Sequence, residues 1–158
     1  YHTHHGKGRC PSVDTWWLTE TGGIMISGMA GVTAQEPAHA GLPLPGILPV
    51  LLSPDGQELT EPEAEGLLAI RFPWPSMIRT TFGDHQRCVD TYFKPFPGYY
   101  FTGDGARRDA KGMYRIIGRV DDVINVSGHR LGTAEIENAI NHHPQVTESA
   151  VVGYPHDI

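Results

Sequence analysis

Nineteen glycines and 13 prolines make up about a fifth of the 158 residues, against a usual combined share of about 12%. Proline removes a backbone donor and glycine gives up conformational order, so helical bundles are disfavoured and short strands joined by turns are expected. Apolar clusters between these breakers predict strands at Ile24 to Ser27, Ile47 to Leu52, Leu67 to Arg71, Tyr99 to Thr102 and Tyr114 to Gly118. Ser53-Pro54-Asp55-Gly56-Gln57 and Asp109-Ala110-Lys111-Gly112 carry turn chemistry, in which proline presets φ and glycine accepts a positive one. Before residue 120 only Asp84 to Phe93 reads as a helix. There Asp84 can cap, and Val89, Tyr92 and Phe93 recur at three- and four-residue spacing.

Charge narrows the partners. The formal net charge of −6 argues against nucleic acid and against an anionic membrane surface, both of which call for clustered positive charge. A hydrophobic share of 39% with 19% charged residues suits a globular chain rather than a disordered one. No apolar run approaches the roughly 20 residues of a spanning helix, because Gly41-Leu42-Pro43-Leu44-Pro45-Gly46 breaks the best candidate. Cys10 and Cys88 lie far apart without a CxxC partner, so neither a disulfide scaffold nor a thiolate zinc site is expected. A reducing compartment follows, the cytoplasm first and the mitochondrial matrix second. The histidines of Tyr1-His2-Thr3-His4-His5 have no acidic neighbour or helical pairing and read as a solvated terminus. The chain opens on Tyr1 and closes two residues past His156, and is expected to be a piece of a longer protein.

After Arg119 the texture changes. Val123-Ile124-Asn125-Val126 with Gly128 suggests a hairpin. Thr133-Ala134-Glu135-Ile136 opens a helix with Thr133 as N-cap and with Ile136 and Ile140 on one face, and Ser149 to Gly153 reads as a buried strand. The adjacent carboxylates Asp121-Asp122 mark the boundary. The expected fold class is α+β: residues 1–120 form a β-rich, distorted barrel-like subdomain, and residues 121–158 begin a small α+β C-terminal domain.

Three segments carry chemistry. In Asp14-Thr15-Trp16-Trp17-Leu18-Thr19-Glu20-Thr21-Gly22-Gly23, aromatic rings, hydroxyls, a carboxylate and a glycine pair would suit a loop that holds a base and a phosphate, although a tryptophan pair is as easily core. In Tyr99-Tyr100-Phe101-Thr102-Gly103-Asp104-Gly105, a carboxylate between glycines can accept both hydroxyls of a ribose or can simply make a turn. In Gly118-Arg119-Val120-Asp121-Asp122, running on to Ser127-Gly128-His129-Arg130, two guanidinium forks suit phosphate or ribose oxygens, and either could equally be a surface ion pair.

Taken in order and spacing, Trp16-Trp17-Leu18-Thr19-Glu20-Thr21-Gly22-Gly23, then Tyr100-Phe101-Thr102-Gly103-Asp104-Gly105, then Gly118 through Arg130, resemble the AMP-forming acetyl-CoA synthetases of the adenylate-forming superfamily. Phe72-Pro73-Trp74-Pro75 and Asn141-His142-His143-Pro144 also fit, and the likeness runs from about Gly8 to the last residue. The resemblance implies an enzyme that joins acetate to ATP, releases pyrophosphate, and passes acetyl from acetyl-AMP to CoA after its small domain turns. It implies ATP or AMP, CoA and Mg2+ as cofactors, and acetate, ATP and CoA as the small molecules bound. Asp14, Thr15, Trp16, Trp17, Leu18 and Thr19 would form the adenine and phosphate loop, with Trp16 on the base and Thr19 near the α-phosphate. Asp104 and Arg119 would hold the ribose, Arg130 would approach the phosphate during adenylation, and Asp121 would be the hinge. Ser127 and Gly128 would pass beside CoA, and backbone carbonyls at Asn141, His143 and Val146 would carry Mg2+.

Trp17 argues for acetate. In the family it resembles, many relatives that take long or aromatic acids have glycine at that place, and an indole there would shorten the acyl pocket to a two-carbon space. Leu18 departs from the glutamine usual in the family, which removes any polar contact that side chain makes. No Gly-rich loop ending in lysine is present, and the family's late catalytic lysine lies beyond Ile158, so the chain by itself is expected to be inactive. A propionate or other short-acid ligase, or a non-catalytic nucleotide-binding module, are the alternatives.

Overall fold

The computed structural model describes residues 3–126 and 129–154. Its centre is a four-stranded antiparallel sheet in the order β3-β4-β5-β6, formed by β3 (Pro49–Leu52), β4 (Ala64–Ile70), β5 (Tyr100–Arg108) and β6 (Tyr114–Arg119). Two short strands, β1 (Thr15–Trp16) and β2 (Ile26–Ser27), form a separate antiparallel pair. Helix α1 (His85–Tyr92) lies between β4 and β5 in the chain. A hairpin of β7 (Val123–Val126) and β8 (His129–Gly132) leads into α2 (Thr133–Asn141). The α+β expectation holds, and strands were expected in every segment that forms the central sheet.

Turn chemistry explains the tight connections. At residues 53–57 the Ser53 N–H donates to the Gln57 carbonyl at 2.8 Å, the Gly56 N–H donates to the Ser53 carbonyl at 2.9 Å, and Gly56 takes a φ of 84°. Between β5 and β6, the Gly112 N–H donates to the Asp109 carbonyl at 2.9 Å while Asp109 Oδ1 accepts from the N–H groups of Lys111 and Met113. Asp84 caps α1 by accepting from the Arg87 N–H at 2.9 Å, as its residue type predicts. The apolar face of α1 meets the sheet through Tyr92 and Phe93, both packed against Tyr100, with Cys88 fully buried beside them.

Three differences from expectation have physical causes. Strand β5 runs to Arg108 rather than ending at Thr102, because Gly105 stays paired on both sides while Gly103, at a φ of 77°, takes up the irregularity between the Leu67–Gly105 and Ala69–Phe101 pairs, and a second register shift follows at Gly105/Ala106. Asp104 is therefore a strand residue rather than a turn residue. Segment Ser149–Gly153 is coil, not a buried strand, and Val152 is 84% exposed. Its polar atoms turn to α2 instead, Ser149 Oγ donating to the Glu137 carbonyl and the Val151 N–H to Glu137 Oε1. Finally, α2 starts at Thr133 with Gly132 in the cap position, so Thr133 does not cap, and Ile140 of its expected apolar face is exposed.

Alternation along β5 positions the chemistry. Tyr100, Thr102, Asp104 and Ala106 face inward and their neighbours face outward or sideways, the two-residue period of a strand with one packed face. A carboxylate thus occupies a place in the row that otherwise belongs to core residues.

Candidate functional site

The site is assembled around Asp104, whose side chain is buried, the whole residue being 5% exposed. Trp16, at the end of β1, is a core residue at 6% exposure, and its Nε1–H donates to Asp104 Oδ2 at 2.9 Å. The Asp104 backbone N–H donates to Thr102 Oγ1 at 3.1 Å, and that hydroxyl donates in turn to the Leu68 carbonyl. The carboxylate is held from two sides. Burial raises its pKa above the usual carboxylate range, while the Trp16 bond and the Arg119 charge oppose that rise.

Arg119 stands directly opposite Asp104 in the β5–β6 register. Its Nη1 lies 3.8 Å from Asp104 Oδ1 and donates to the Thr102 carbonyl at 3.3 Å, and its Nε donates to Asp121 Oδ1 at 3.1 Å. One guanidinium thus bridges the buried carboxylate and the exposed one two residues on. Gly103 makes room for it: with a φ of 77°, any Cβ there would sit 2.8 Å from Arg119 Nη1. Asp121 is held below the usual carboxylate range, first by its own backbone N–H and then by Arg119. The turn after β6 is closed by the Asp122 N–H donating to the Arg119 carbonyl.

The loop after β1 is fixed by a residue for which sequence reasoning assigned no role. Thr21 is fully buried; its hydroxyl accepts from the Leu18 N–H at 3.0 Å, and its carbonyl accepts from Trp74 Nε1 at 2.9 Å and from Ser76 Oγ at 2.7 Å. Gly22 follows at a φ of 67°, where a Cβ would meet the Ser76 carbonyl at 2.7 Å. The signal was present in Thr21-Gly22-Gly23 and Trp74, but the partner lies more than fifty residues away. Thr19 and Glu20 then line a cleft of about 440 Å³ shared with Ser76, Thr81 and Arg87, so that hydroxyls, one cation and one carboxylate face it.

The structure brings Trp16, Asp104, Arg119 and Asp121 together. Asp14, Thr15, Trp17 and Thr19 are exposed on the same loop and Leu18 is half-buried. Trp16 is buried and leaves little surface for a base, whereas Trp17 is 54% exposed and is not core. Arg130 is the second residue of β8, paired with Asn125 of β7, and Ser127 and Gly128 lie outside the described residues. Asn141 closes α2, and the His143 carbonyl accepts from the Val146 N–H at 2.9 Å.

No protein-family model matches the chain. Over all 158 residues it is 60% identical to acetyl-coenzyme A synthetase 2 of Pseudomonas putida and 61% identical to the acetyl-coenzyme A synthetase of Bdellovibrio bacteriovorus, covering 24% of each. The chain belongs to the acetyl-CoA synthetase family. It spans about a quarter of the length of these curated relatives. Two solved structures are also similar to the chain. The crystal structure of an anthranilate CoA ligase in complex with anthranoyl-AMP superposes with a TM-score of 0.76 at 27% identity, over 90% of this chain and 26% of that one. An ATP-bound RpMatB-BxBclM chimera gives 0.77 at 27% identity, over 92% and 28%.

Proposed function

We propose that this chain is the ribose-holding and hinge portion of an AMP-forming acetate–CoA ligase, which converts acetate, ATP and CoA to acetyl-CoA, AMP and pyrophosphate. The observation that carries the reading is the buried Asp104 carboxylate, fixed by Trp16 and faced by Arg119, in a chain about 60% identical to acetyl-CoA synthetases. A ribose offers two adjacent hydroxyl donors, and a pre-oriented carboxylate accepts both without reorganising. Asp104 receives those hydroxyls and Arg119 contacts the same sugar. Trp16 backs the base, Thr19 faces the α-phosphate from the hydroxyl-lined cleft, and Trp17 closes the acyl pocket to acetate. Asp14, Thr15 and Leu18 shape the remainder of that loop.

Asp121 is the hinge. Alternation between two half-reactions on one site needs a few residues that absorb large backbone changes, and Asp121 sits in the exposed turn between the central sheet and the β7–β8 hairpin. Residues 1–120 and 121–158 are accordingly the two moving parts. Arg130 approaches the phosphate in one state, and Ser127 with Gly128 lies beside CoA in the other.

Mg2+ would be held by the carbonyls of Asn141, His143 and Val146, since main-chain oxygens are hard donors and the His143 carbonyl, although it accepts from the Val146 N–H, keeps a second lone pair. When bound there it supplies a structural charge rather than chemistry. The cytoplasm is the compartment this reading supports, the relatives being bacterial.

The test is made on the full-length protein. Asp104→Ala should raise the KM for ATP about tenfold or more, the worth of hydrogen bonds to a charged group. An unchanged KM refutes the ribose assignment. Asp121→Pro should impair either pyrophosphate release or thioester formation far more than the other, and equal loss of both refutes the hinge.

A further inference from the structure

Just past the C-terminal end of β5, three potential metal ligands converge that the ligase reading does not use. Glu36 and His39 come from the loop after β2, and Asp109 from the β5–β6 turn. Each offers one ligand atom, and these atoms all lie within 4.8 Å of one another. The two segments are at least seventy residues apart in sequence. They are fastened together by the Ala40 N–H donating to the Tyr114 carbonyl at 2.8 Å and by the Tyr114 N–H donating to the Gly41 carbonyl at 2.9 Å.

Each ligand has one atom engaged by the protein and another left over. His39 Nδ1 lies 3.1 Å from the Pro37 carbonyl, which can only accept, so the neutral ring carries its proton on Nδ1 and its lone pair on Nε2. Asp109 Oδ1 accepts from the Lys111 and Met113 N–H groups, leaving Oδ2. Glu36 Oε1 is paired with Lys111 Nζ, leaving Oε2. A backbone-oriented imidazole with two carboxylates is a borderline donor set, suited to Zn2+ and its neighbours in the first transition row rather than to Mg2+. All three residues are half-buried, so the side chains have room to close the remaining distance.

We propose that Glu36, His39 and Asp109 form a divalent transition-metal site, selective for Zn2+ over Mg2+, that cross-links the 36–39 loop to the β5–β6 turn. Lys111 is its competitor. With no metal the ammonium neutralises Glu36, and metal binding must displace it or share the carboxylate with it.

The experiment is calorimetric titration of Zn2+, and separately of Mg2+, into the full-length protein carrying His2, His4 and His5 as alanine, so that the terminal histidines do not contribute. A Zn2+ binding event is expected that His39→Ala weakens about tenfold or more. Lys111→Ala should tighten it about two- to fivefold, the worth of one exposed ion pair. Glu36→Gln should weaken it, and its far-UV circular dichroism and melting temperature without metal check that the fold is kept. Zn2+ should raise the melting temperature of the parent and not of His39→Ala. Absence of Zn2+ binding, binding insensitive to His39→Ala, or a His39-dependent Mg2+ affinity equal to that for Zn2+ would overturn the proposal. A loosened rather than tightened Lys111→Ala site would overturn the competition.

Discussion

Trp16 Nε1 donates to Asp104 Oδ2 at 2.9 Å, joining residues 88 positions apart. The bond explains how a carboxylate is tolerated in the inward row of β5. An ionised group taken out of water is strongly disfavoured unless it is hydrogen-bonded and faces a countercharge, and Asp104 has the indole N–H on one oxygen and the Arg119 guanidinium near the other. The second partner stands at 3.8 Å, too far for a hydrogen bond, which leaves acceptor capacity on the carboxylate for a ligand.

Trp16→Phe should therefore do more than trim a ring. It removes the donor, leaves a buried carboxylate oxygen without it, and costs about 1–3 kcal/mol of stability. The Asp104 pKa should rise further, because the indole bond is one of the two influences holding it down. Chemical denaturation gives the first quantity, and carboxyl chemical shifts against pH give the second. An Asp104 titration unchanged by Trp16→Phe would show that the indole does not tune it.

Asp104→Asn probes the opposite trade. The folded-state pKa of Asp104 is raised above its unfolded value, so between the two values the folded chain binds more protons than the unfolded one, and stability falls as pH rises through that window. The deficit is fully present above the folded pKa and absent below the unfolded one. An amide keeps an acceptor for Trp16 and carries no charge to bury. Asp104→Asn should accordingly melt at the same temperature as the parent or higher near neutrality, with the gain vanishing in acid, while losing nucleotide affinity. Melting curves across the carboxylate range decide it; a variant that is less stable near neutrality and recovers in acid contradicts the sign.

Gly103→Ala combines a backbone and a side-chain effect. An alanine at a φ of 77° costs about 1–2 kcal/mol, and its methyl would meet Arg119 Nη1 at 2.8 Å, so the flexible guanidinium must move off Asp104 and the Thr102 carbonyl. In the full-length protein the ATP KM should rise several-fold. In an Arg119→Ala background the same change should cost stability but little further KM, since the group it displaces is gone. Equal KM effects in both backgrounds would separate Gly103 from Arg119.

How far the site could be read in advance depended on distance along the chain. The Asp84 cap, the turns at Ser53 to Gln57 and Asp109 to Gly112, and the helix carrying Tyr92 and Phe93 are local, and residue type and spacing suffice for them. Asp104 was recognisable as a ribose holder or a turn, but not as an inward strand residue, because flanking glycines look like breakers and only pairing with β4 and β6 carries the strand through the irregularity at Gly103. Thr21 is legible only with Trp74 and Ser76 in view. The run Ala150-Val151-Val152 has strand composition, yet it forms no ladder: Ile124 of β7 packs beside Gly153 through its side chain, and the Val151 N–H goes to Glu137 instead.

The final prediction concerns Trp17 and tests substrate choice apart from fold. A buried tryptophan replaced by glycine would cost about 3–5 kcal/mol and lower every activity alike. The structure removes that reading, because Trp17 is 54% exposed, and its β1 neighbour Trp16 carries the core contacts. Trp17→Gly should then leave the melting temperature of the full-length protein nearly unchanged. If the indole is the floor of the acyl pocket, its removal opens space for several methylenes. Relative kcat/KM should shift from acetate toward butanoate and hexanoate by about ten- to a hundredfold, at roughly 1–3 kcal/mol of discrimination per methylene. Acetate itself should be used less well, since a two-carbon acid no longer fills the space and water enters beside its carboxylate. A stable Trp17→Gly protein that keeps its parent's ranking of acetate over the longer acids would remove Trp17 from the pocket and take the argument for acetate with it.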